Sequence, residues 1–292
     1  MGIGAPALSL YQTLRQQGHL SGGKSVIELG SQQINGNEYH QKKTRDVLET
    51  IGVKLPELDV VITPKIFHQA LGYDIYKCID ADGNADALIF DLNKDLLDAY
   101  GFEEQFDLVT NHGTSEHVFD QCSCFRNIHN LCKSGGYMIH VIPFEGYQNH
   151  GFYNYQPSCF MDLALANNYE VIGFYYNVAF KIKFNKYIGN TNVIPYTDGL
   201  MDELRVQANK GRLPSTPMGN DSILSVILRK QNNEPFQIPF DGKFSQQSKL
   251  DGTGDFAHRS NTSSINEYFL GRKNFEFFDK KFNHADNIRQ SM

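Results

Sequence analysis

The sequence predicts an α/β protein in which a mostly parallel sheet carries helices on both faces. Apolar segments of strand length alternate with segments of helical period between about residues 24 and 170. Two further strand-like segments follow and close the sheet. Because parallel strands need crossover connections, and these are almost always right-handed, the alternation predicts a layered domain with helices on both sides of the sheet.

Each predicted element has a local reason in the sequence. The strands are short apolar runs, predicted at 24–30, 73–83, 85–93, 106–113, 137–143, 170–184 and 221–230. The helices have helical period and mostly end near a glycine, and they are predicted at 7–15, 40–52, 64–72, 114–136 and 157–169. Pro64 suits a first helical position, and Thr114 or Ser115 suits the cap of the fourth helix.

The chain divides into three parts by composition. Residues 1–23 hold the N-terminal helix, residues 24–232 hold the alternating strands and helices, and residues 233–292 form a tail. The tail is rich in Gln, Asn, Ser, Gly and Asp without sustained periodicity, which is typical of loosely ordered segments. A short helix at 265–282 is predicted to dock through its aromatic residues.

Composition and charge narrow the class of function. Of the 292 residues, 40% are hydrophobic and 21% are charged, so a sizeable core is expected. The formal charge of −6 and the pI of about 5.9 disfavour a nucleic-acid partner, which needs a basic face. The sequence shows no membrane-spanning run, no signal peptide and no paired cysteine motif. We therefore expect a cytoplasmic protein with a small-molecule substrate.

Acidic residues mark the ends of three predicted strands, at Glu28, Asp80 and Asp91. A carboxylate at the end of the second strand suits a ribose, because it can accept from both vicinal hydroxyls. Asp91 is placed to accept from an adenine amino group, with the Leu92 amide donating to the ring. The close-spaced glycines of a pyrophosphate loop are missing after Gly30, which disfavours NAD and FAD.

Five segments in this order resemble the class I S-adenosylmethionine-dependent methyltransferases: SVIELGSQ, CIDADG, IFDLN, FDLVTNHGTSEHV and KSGGYMIHVIP. The resemblance covers about residues 24–230 and implies a Rossmann-like, seven-stranded sheet whose last strands are antiparallel. Of the three glycines usual in the family's first loop, only Gly30 is present. The implied cofactor is S-adenosylmethionine, and the implied site residues are Glu28, Gly30, Ser31, Asp80, Asp91, Leu92 and Asn111.

The loops 111–117 and 144–157 follow the fourth and fifth strands of such a sheet, where the resemblance implies that the acceptor binds. They hold three histidines that are candidates for the catalytic base, His112, His117 and His150, since imidazole accepts a proton near neutral pH. Aromatic residues in the second loop suit a planar or sugar-like acceptor, or else about half of them fill the edge of the sheet. His129 is predicted on a helix surface, and His140 in the core.

The same polar cluster admits a second interpretation, in which Glu116 joins the three histidines as ligands of a divalent ion. Its spacing matches no zinc signature, so the acid–base interpretation is favoured and no metal is assigned. The methyl-transfer hypothesis has its own alternative, a non-catalytic binding or scaffold protein that keeps the fold. The missing glycines favour that alternative, and the strand-end acids favour the enzyme. An oxidoreductase ranks third.

Overall fold

The computed structural model describes residues 2–54, 57, 59–147, 149–178, 181–182, 186–187, 193–195, 222–242 and 249–250. The helix predicted at 265–282 lies outside these residues. None of the helices in the described part of the chain is long and apolar enough to cross a membrane.

The described strands are β1 Ser25–Leu29, β2 Ile75–Ile79, β3 Phe106–His112, β4 Cys132–Glu145, β5 Glu170–Val178, β6 Lys181–Ile182, β7 Lys186–Tyr187, β8 Val193–Pro195 and β9 Ser222–Arg229. Seven of them form one sheet in the order β2-β1-β3-β4-β9-β5-β8. Strands β1 to β4 are parallel, whereas β9 is antiparallel to both β4 and β5, and β8 is antiparallel to β5. The fold is therefore Rossmann-like, mostly parallel, with antiparallel late strands, as the sequence predicts.

The described helices are α1 Ala5–Gln16, α2 Glu38–Thr50, α3 Pro64–Ala70, α4 Leu96–Tyr100, α5 Gln121–Leu131 and α6 Pro157–Ala166. Local signals explain several of their starts. Asn37 caps α2 through the amide of His40, and Thr63 caps α3 through the amide of Ile66. Asp95 caps α4.

Apolar side chains alternate along the sheet between two cores. Ile27 and Leu29 of β1 face a core that includes residues of α5 and α6, such as Phe125 and Phe160. Val26 belongs to the core on the opposite face, which α1, α2 and α3 cover. Burial of both faces explains why β1 is buried along its whole length, including its polar residues Ser25 and Glu28.

Helix α1 is part of this second core. Its side chains Leu10, Tyr11 and Leu14 are almost completely buried, and the ring of Tyr11 packs edge-on against Phe67 of α3. The Ile3 amide also donates to the Gln33 carbonyl after β1, at 2.9 Å. The N-terminal segment therefore covers the carboxyl end of the sheet on this face.

The segment 85–93 does not form the predicted strand. It contains a single bridge, between Leu88 and Ile79, and Ala85 and Asp86 both have positive φ. The seventh strand of the sheet is instead β8, at the opposite edge. The apolar residues of 85–93 still pack, because Leu88 and Phe90 contact the core.

The helix predicted at 114–136 is shorter than expected at both ends. Residues Ser115–His117 form one 3-10 turn, and α5 begins later, with Asp120 as the cap that accepts from the Ser123 amide at 2.9 Å. The prediction that Thr114 or Ser115 caps this helix is therefore wrong. Strand β4 begins directly after Leu131, ahead of the predicted glycine stop.

Residues 234–237 lie against the domain. The Glu234 carbonyl is 2.9 Å from Nε2 of His129, and the ring of Phe236 contacts the same histidine. Asn167 bonds to Gln237 twice, through its amide nitrogen at 2.9 Å and its amide oxygen at 2.8 Å. His129 is buried, so its predicted position on a helix surface is wrong.

Candidate functional site

The order of the sheet strands changes direction at β1, which has β2 on one side and β3 on the other. In open α/β sheets such a switch point forms a crevice at the carboxyl ends of the strands, where ligands bind. The loop that leaves β1 begins at Gly30, with a φ of 80° that favours glycine.

Two side chains close the crevice at Gly30. The hydroxyl of Thr114 donates to the Leu29 carbonyl at 2.7 Å, and Nε2 of Gln32 donates to the same carbonyl at 2.8 Å. A Cβ at Gly30 would lie 2.5 Å from the Thr114 hydroxyl oxygen. Glycine is therefore required at position 30, because the Thr114 side chain packs against the β1 loop and leaves no space for a Cβ.

Asp80 follows the end of β2 and bonds to the β1 loop. Its Oδ2 accepts from both the amide and the hydroxyl of Ser31, each at 2.7 Å. Partial burial acts to raise the pKa of Asp80, but these hydrogen bonds outweigh it and hold the pKa below its usual value. The carboxylate is thus ionised, at the crevice, and directed at the loop after Gly30.

Asp91 and Leu92 lie in the irregular segment beyond β2. The Asp91 carboxylate accepts from the amide and side chain of Asn93, which lowers its pKa, and its own amide donates to the Tyr100 hydroxyl at 2.9 Å. The Leu92 side chain is buried in the core. Asp91 is partly exposed and bonded only locally in the contacts described.

Glu28 lies beneath the crevice in the α1–α3 core. It is fully buried, with Oε1 3.0 Å from Nε2 of His68, and Oε2 accepts from the Tyr76 hydroxyl at 2.6 Å. Burial raises the pKa of Tyr76 far above its usual value, and the neighbouring Glu28 adds to that effect. Both oxygens of Glu28 are bonded within the protein, so the structure does not place them at the loop.

Asn111 and His112 end β3 on opposite faces of the sheet. Asn111 bonds to the Ser115 hydroxyl at 2.8 Å and to Nδ1 of His140 at 3.2 Å. His112 is 1% exposed and lies 3.2 Å from the Tyr11 hydroxyl. Burial lowers the pKa of His112 to about 4. His140 is in the core, as predicted, whereas His112 is not brought to the rim with the other candidate bases.

Glu116, His117 and His150 come together at the rim. His117 Nε2 lies 3.9 Å and His150 Nε2 3.7 Å from Oε1 of Glu116, and the two rings are 5.0 Å apart. The Glu116 side chain is 0% exposed, while those of His117 and His150 are 46% and 32% exposed. Burial raises the pKa of Glu116 to about 7. Burial and the neighbouring His150 lower the pKa of His117.

The loop after β4 is fixed against Glu116. The amides of Phe152 and Tyr153 both donate to the Glu116 carbonyl, at 2.7 and 3.3 Å. A Cβ on Gly151 would lie 2.8 Å from that carbonyl oxygen, so the close approach requires glycine. Tyr147 and Asn149 both have positive φ in this loop. These constraints hold His150 beside a carboxylate from a different loop.

Sequence reasoning missed Gln32 as a residue that closes the crevice, and it named Glu116 as a ligand in the less favoured metal interpretation of the polar cluster. No motif identifies Gln32. The pair Glu116-His117 directly after a strand end was the available signal, but its partner His150 is distant in the sequence and depends on the β4 loop.

No family model matches the sequence, and no curated protein matches it. Similar solved structures include TehB from Haemophilus influenzae, at 13% identity and a TM-score of 0.37, covering 72% of this chain and 58% of that one. A SAM-dependent methyltransferase from Archaeoglobus fulgidus has 10% identity and a TM-score of 0.39, over 76% and 94%.

A third similar structure is the O-methyltransferase from the trans-AT PKS multienzyme of Brevibacillus brevis, in complex with S-adenosyl-L-homocysteine. Its identity is 10% and its TM-score 0.39, over 78% of this chain and 73% of that one. At these values the comparisons carry no functional argument. It is the strand order, with β1 at the switch point, that makes this chain a Rossmann-like α/β protein.

Proposed function

We propose that this protein transfers a methyl group from S-adenosylmethionine to a small-molecule acceptor, with a sugar or sugar derivative as the favoured class. The observation that carries the proposal is the pairing of Asp80 with Ser31 across the switch point. It places an ionised carboxylate at the end of β2 against the loop that leaves β1, where a nucleoside would be bound.

The nucleoside half of the crevice fits such a cofactor. Asp80 supplies a carboxylate for the ribose hydroxyls, and Ser31 supplies an amide and a hydroxyl next to it. Asp91 is a second, partly exposed carboxylate in the segment beyond β2. When bound, the cofactor supplies a methyl group activated by a sulfonium. The protein then mainly has to align the acceptor with it.

The other half of the crevice is closed by the hydrogen bonds of Gln32 and Thr114 to the Leu29 carbonyl. Cofactor binding would require Gln32 to leave this position, since its side chain is buried against the loop. The same closure favours the second candidate, a non-catalytic protein that keeps the fold. The two candidates therefore differ in whether the closed loop opens for a ligand.

We assign the acceptor side to the loops after β3 and β4, which hold His117 and His150. These residues are the proton acceptors that the sequence predicts. His112 is left out of this role, because its buried ring contacts Tyr11 and not the rim. The aromatic side chain of Phe152 is exposed in the same loop and suits an apolar or sugar face.

Calorimetric titration separates the candidates. The enzyme is expected to bind S-adenosylmethionine and S-adenosylhomocysteine at one site per chain, and not NAD. Absence of binding of either ligand would support the non-catalytic candidate. Binding of NAD alone would support an oxidoreductase instead.

A further inference from the structure

We propose that Glu116, His117 and His150 bind a divalent transition-metal ion at the rim of the sheet. The proposal rests on the geometry of these three side chains and does not depend on the proposed function. Two neighbouring strands supply the ligands, since the turn with Glu116 and His117 follows β3 and the loop with His150 follows β4.

The state of the Glu116 carboxylate points to a missing ligand. Among the residues that the structure describes, neither of its oxygens has a hydrogen-bond partner, and both are buried. A buried carboxylate without partners is costly, and such groups are normally paired or bound to a metal. The two imidazole nitrogens lie 3.9 and 3.7 Å from its Oε1, too far for hydrogen bonds.

The three donor atoms are close to the arrangement that an ion requires. One ligand atom from each residue lies within 4.8 Å of the others. Ligand atoms of one zinc ion lie roughly 3–3.5 Å apart, as bonds of about 2.0–2.1 Å imply. An ion would therefore need to draw the side chains together by about 1 Å, which half-exposed histidine side chains can accommodate.

The proposed site has a buried side, formed by Glu116, and a side that is open to solvent, formed by the two histidines. Glu116 is fully buried, and its carbonyl is bonded by the amides of Phe152 and Tyr153. The two histidines face solvent on one side, so an ion held by the three side chains would keep a position for a fourth ligand. In the proposed enzyme with an ion bound, that position would take a hydroxyl of the acceptor, and His117 and His150 would be ligands of the ion in place of proton acceptors.

The donor set selects the class of ion. Two imidazoles and one carboxylate suit Zn²⁺, Fe²⁺, Co²⁺ or Mn²⁺, whereas Mg²⁺ and Ca²⁺ prefer sites made of oxygen atoms alone. We therefore expect zinc and cobalt to bind, and magnesium to bind far more weakly.

The test uses the untagged full-length protein, freed of metal by dialysis against a chelator. Zn²⁺ is titrated by calorimetry, and Co²⁺ by its visible absorption. One ion per chain is expected, with micromolar or tighter affinity and a rise in melting temperature on binding. Removal of an outer-shell partner already weakens metal sites by about 10- to 100-fold, so Glu116→Gln, His117→Ala and His150→Ala should each cost at least about 100-fold.

His40→Ala is the matched control, because it removes a partly exposed histidine from α2, outside the cluster. The two rim histidine variants should fold normally, since both side chains are partly exposed, and melting without metal checks this. Absence of zinc binding to the parent protein would overturn the proposal. So would variants at all three positions that bind zinc like the parent. Zinc binding without S-adenosylmethionine binding would sustain this site and refute the proposed function.

Discussion

The hydroxyl of Thr114 donates to the carbonyl oxygen of Leu29 at 2.7 Å, so the turn after β3 closes the loop after β1. The bond links the last residue of β1 to the turn after β3, and these two strands are neighbours at the switch point of the sheet. In the proposed enzyme, a cofactor that enters the crevice would have to open this closed arrangement. The strength of the closure can therefore be measured through its effect on binding.

Replacing Thr114 with Ala should lower stability and strengthen cofactor binding together. Loss of one hydrogen bond is expected to cost about 1 kcal/mol of the free energy of unfolding. If that bond has to break when S-adenosylmethionine binds, the variant no longer loses this free energy on binding. Its affinity for the cofactor should therefore rise by about 5-fold. Melting and calorimetry on the variant measure both. Thr114→Ser keeps the hydroxyl and should behave like the parent, and an affinity that falls in Thr114→Ala would contradict the closure.

Replacing Asp107 with Asn should destabilise the protein at neutral pH. Its carboxylate accepts from the amides of Lys24 and Ser25 at 2.9 Å and from the Lys133 ammonium at 3.0 Å. Burial acts to raise the pKa of Asp107, but these contacts lower it to about 2. The expected loss in free energy of unfolding is about 1–2 kcal/mol at pH 7, since the carboxylate is partly exposed.

The stabilisation by the Asp107 carboxylate should decrease as the pH falls. Because the folded pKa lies below the unfolded value, the contribution of Asp107 is present above about pH 4 and is lost between about pH 4 and 2. The difference in stability between parent and Asp107→Asn should therefore shrink over that interval. A difference that stays constant from pH 7 to pH 2 would show that packing, not charge, is affected. Asp74→Asn, at an exposed position before β2, serves as the control.

The buried histidines should make the fold sensitive to mild acid. Burial lowers the pKa of His140 to about 3 and that of His112 to about 4. The unfolded chain gains protons on these rings below about pH 6.5, and the folded chain does not, so stability falls as the pH drops from 6.5 towards 4. Chemical unfolding at pH 7, 6 and 5 measures this. His140→Gln should reduce the slope, and His40→Gln should leave it unchanged.

The contacts of residues 234–237 lead to a prediction about the tail. We propose that the folded domain extends a few residues beyond 232, because Gln237 and Glu234 bond to Asn167 and His129. A chain that ends at 242 should melt within about 2 °C of the full-length protein. A chain that ends at 232 should melt several degrees lower, since a loss of about 1 kcal/mol shifts the melting temperature of a domain this large by about 2–4 °C. Equal melting of both truncated chains would contradict this.

The alternation of strands and helices in the sequence is sufficient to predict the architecture, because the central strands are buried on both faces and most of each strand's core-facing residues are apolar. The segment 85–93 shows where such reasoning fails. Leu88 and Phe90 alternate like strand residues, but only Leu88 has a bridge to β2. The apolar pattern predicts which side chains are buried, but it does not predict whether the backbone of the segment pairs with a neighbouring strand.

The sequence predicts where Asp80, His117 and His150 lie, but not where His112 lies, and the role of each residue stays a prediction. Asp80 follows a strand end in the sequence and lies at the crevice in the structure. His112 is also at a strand end, since it is the last residue of β3. Helix α1 covers that face of the sheet, however, and the hydroxyl of its Tyr11 contacts the buried His112 ring. Glu116 and His150 are 34 positions apart, and only the fold of the β4 loop brings them together.

The most direct test of the account is the affinity of S-adenosylmethionine for the parent protein, Asp80→Ala and Asp74→Asn, measured by calorimetry. The two aspartates lie at opposite ends of β2, so the control variant removes a carboxylate without touching the crevice. Loss of a charge-assisted hydrogen bond to the ribose is expected to cost about 1.5–3 kcal/mol, or about 10- to 100-fold, in Asp80→Ala alone. A parent protein that binds no S-adenosylmethionine, or an Asp80→Ala variant that binds it as tightly as the parent, would contradict the account.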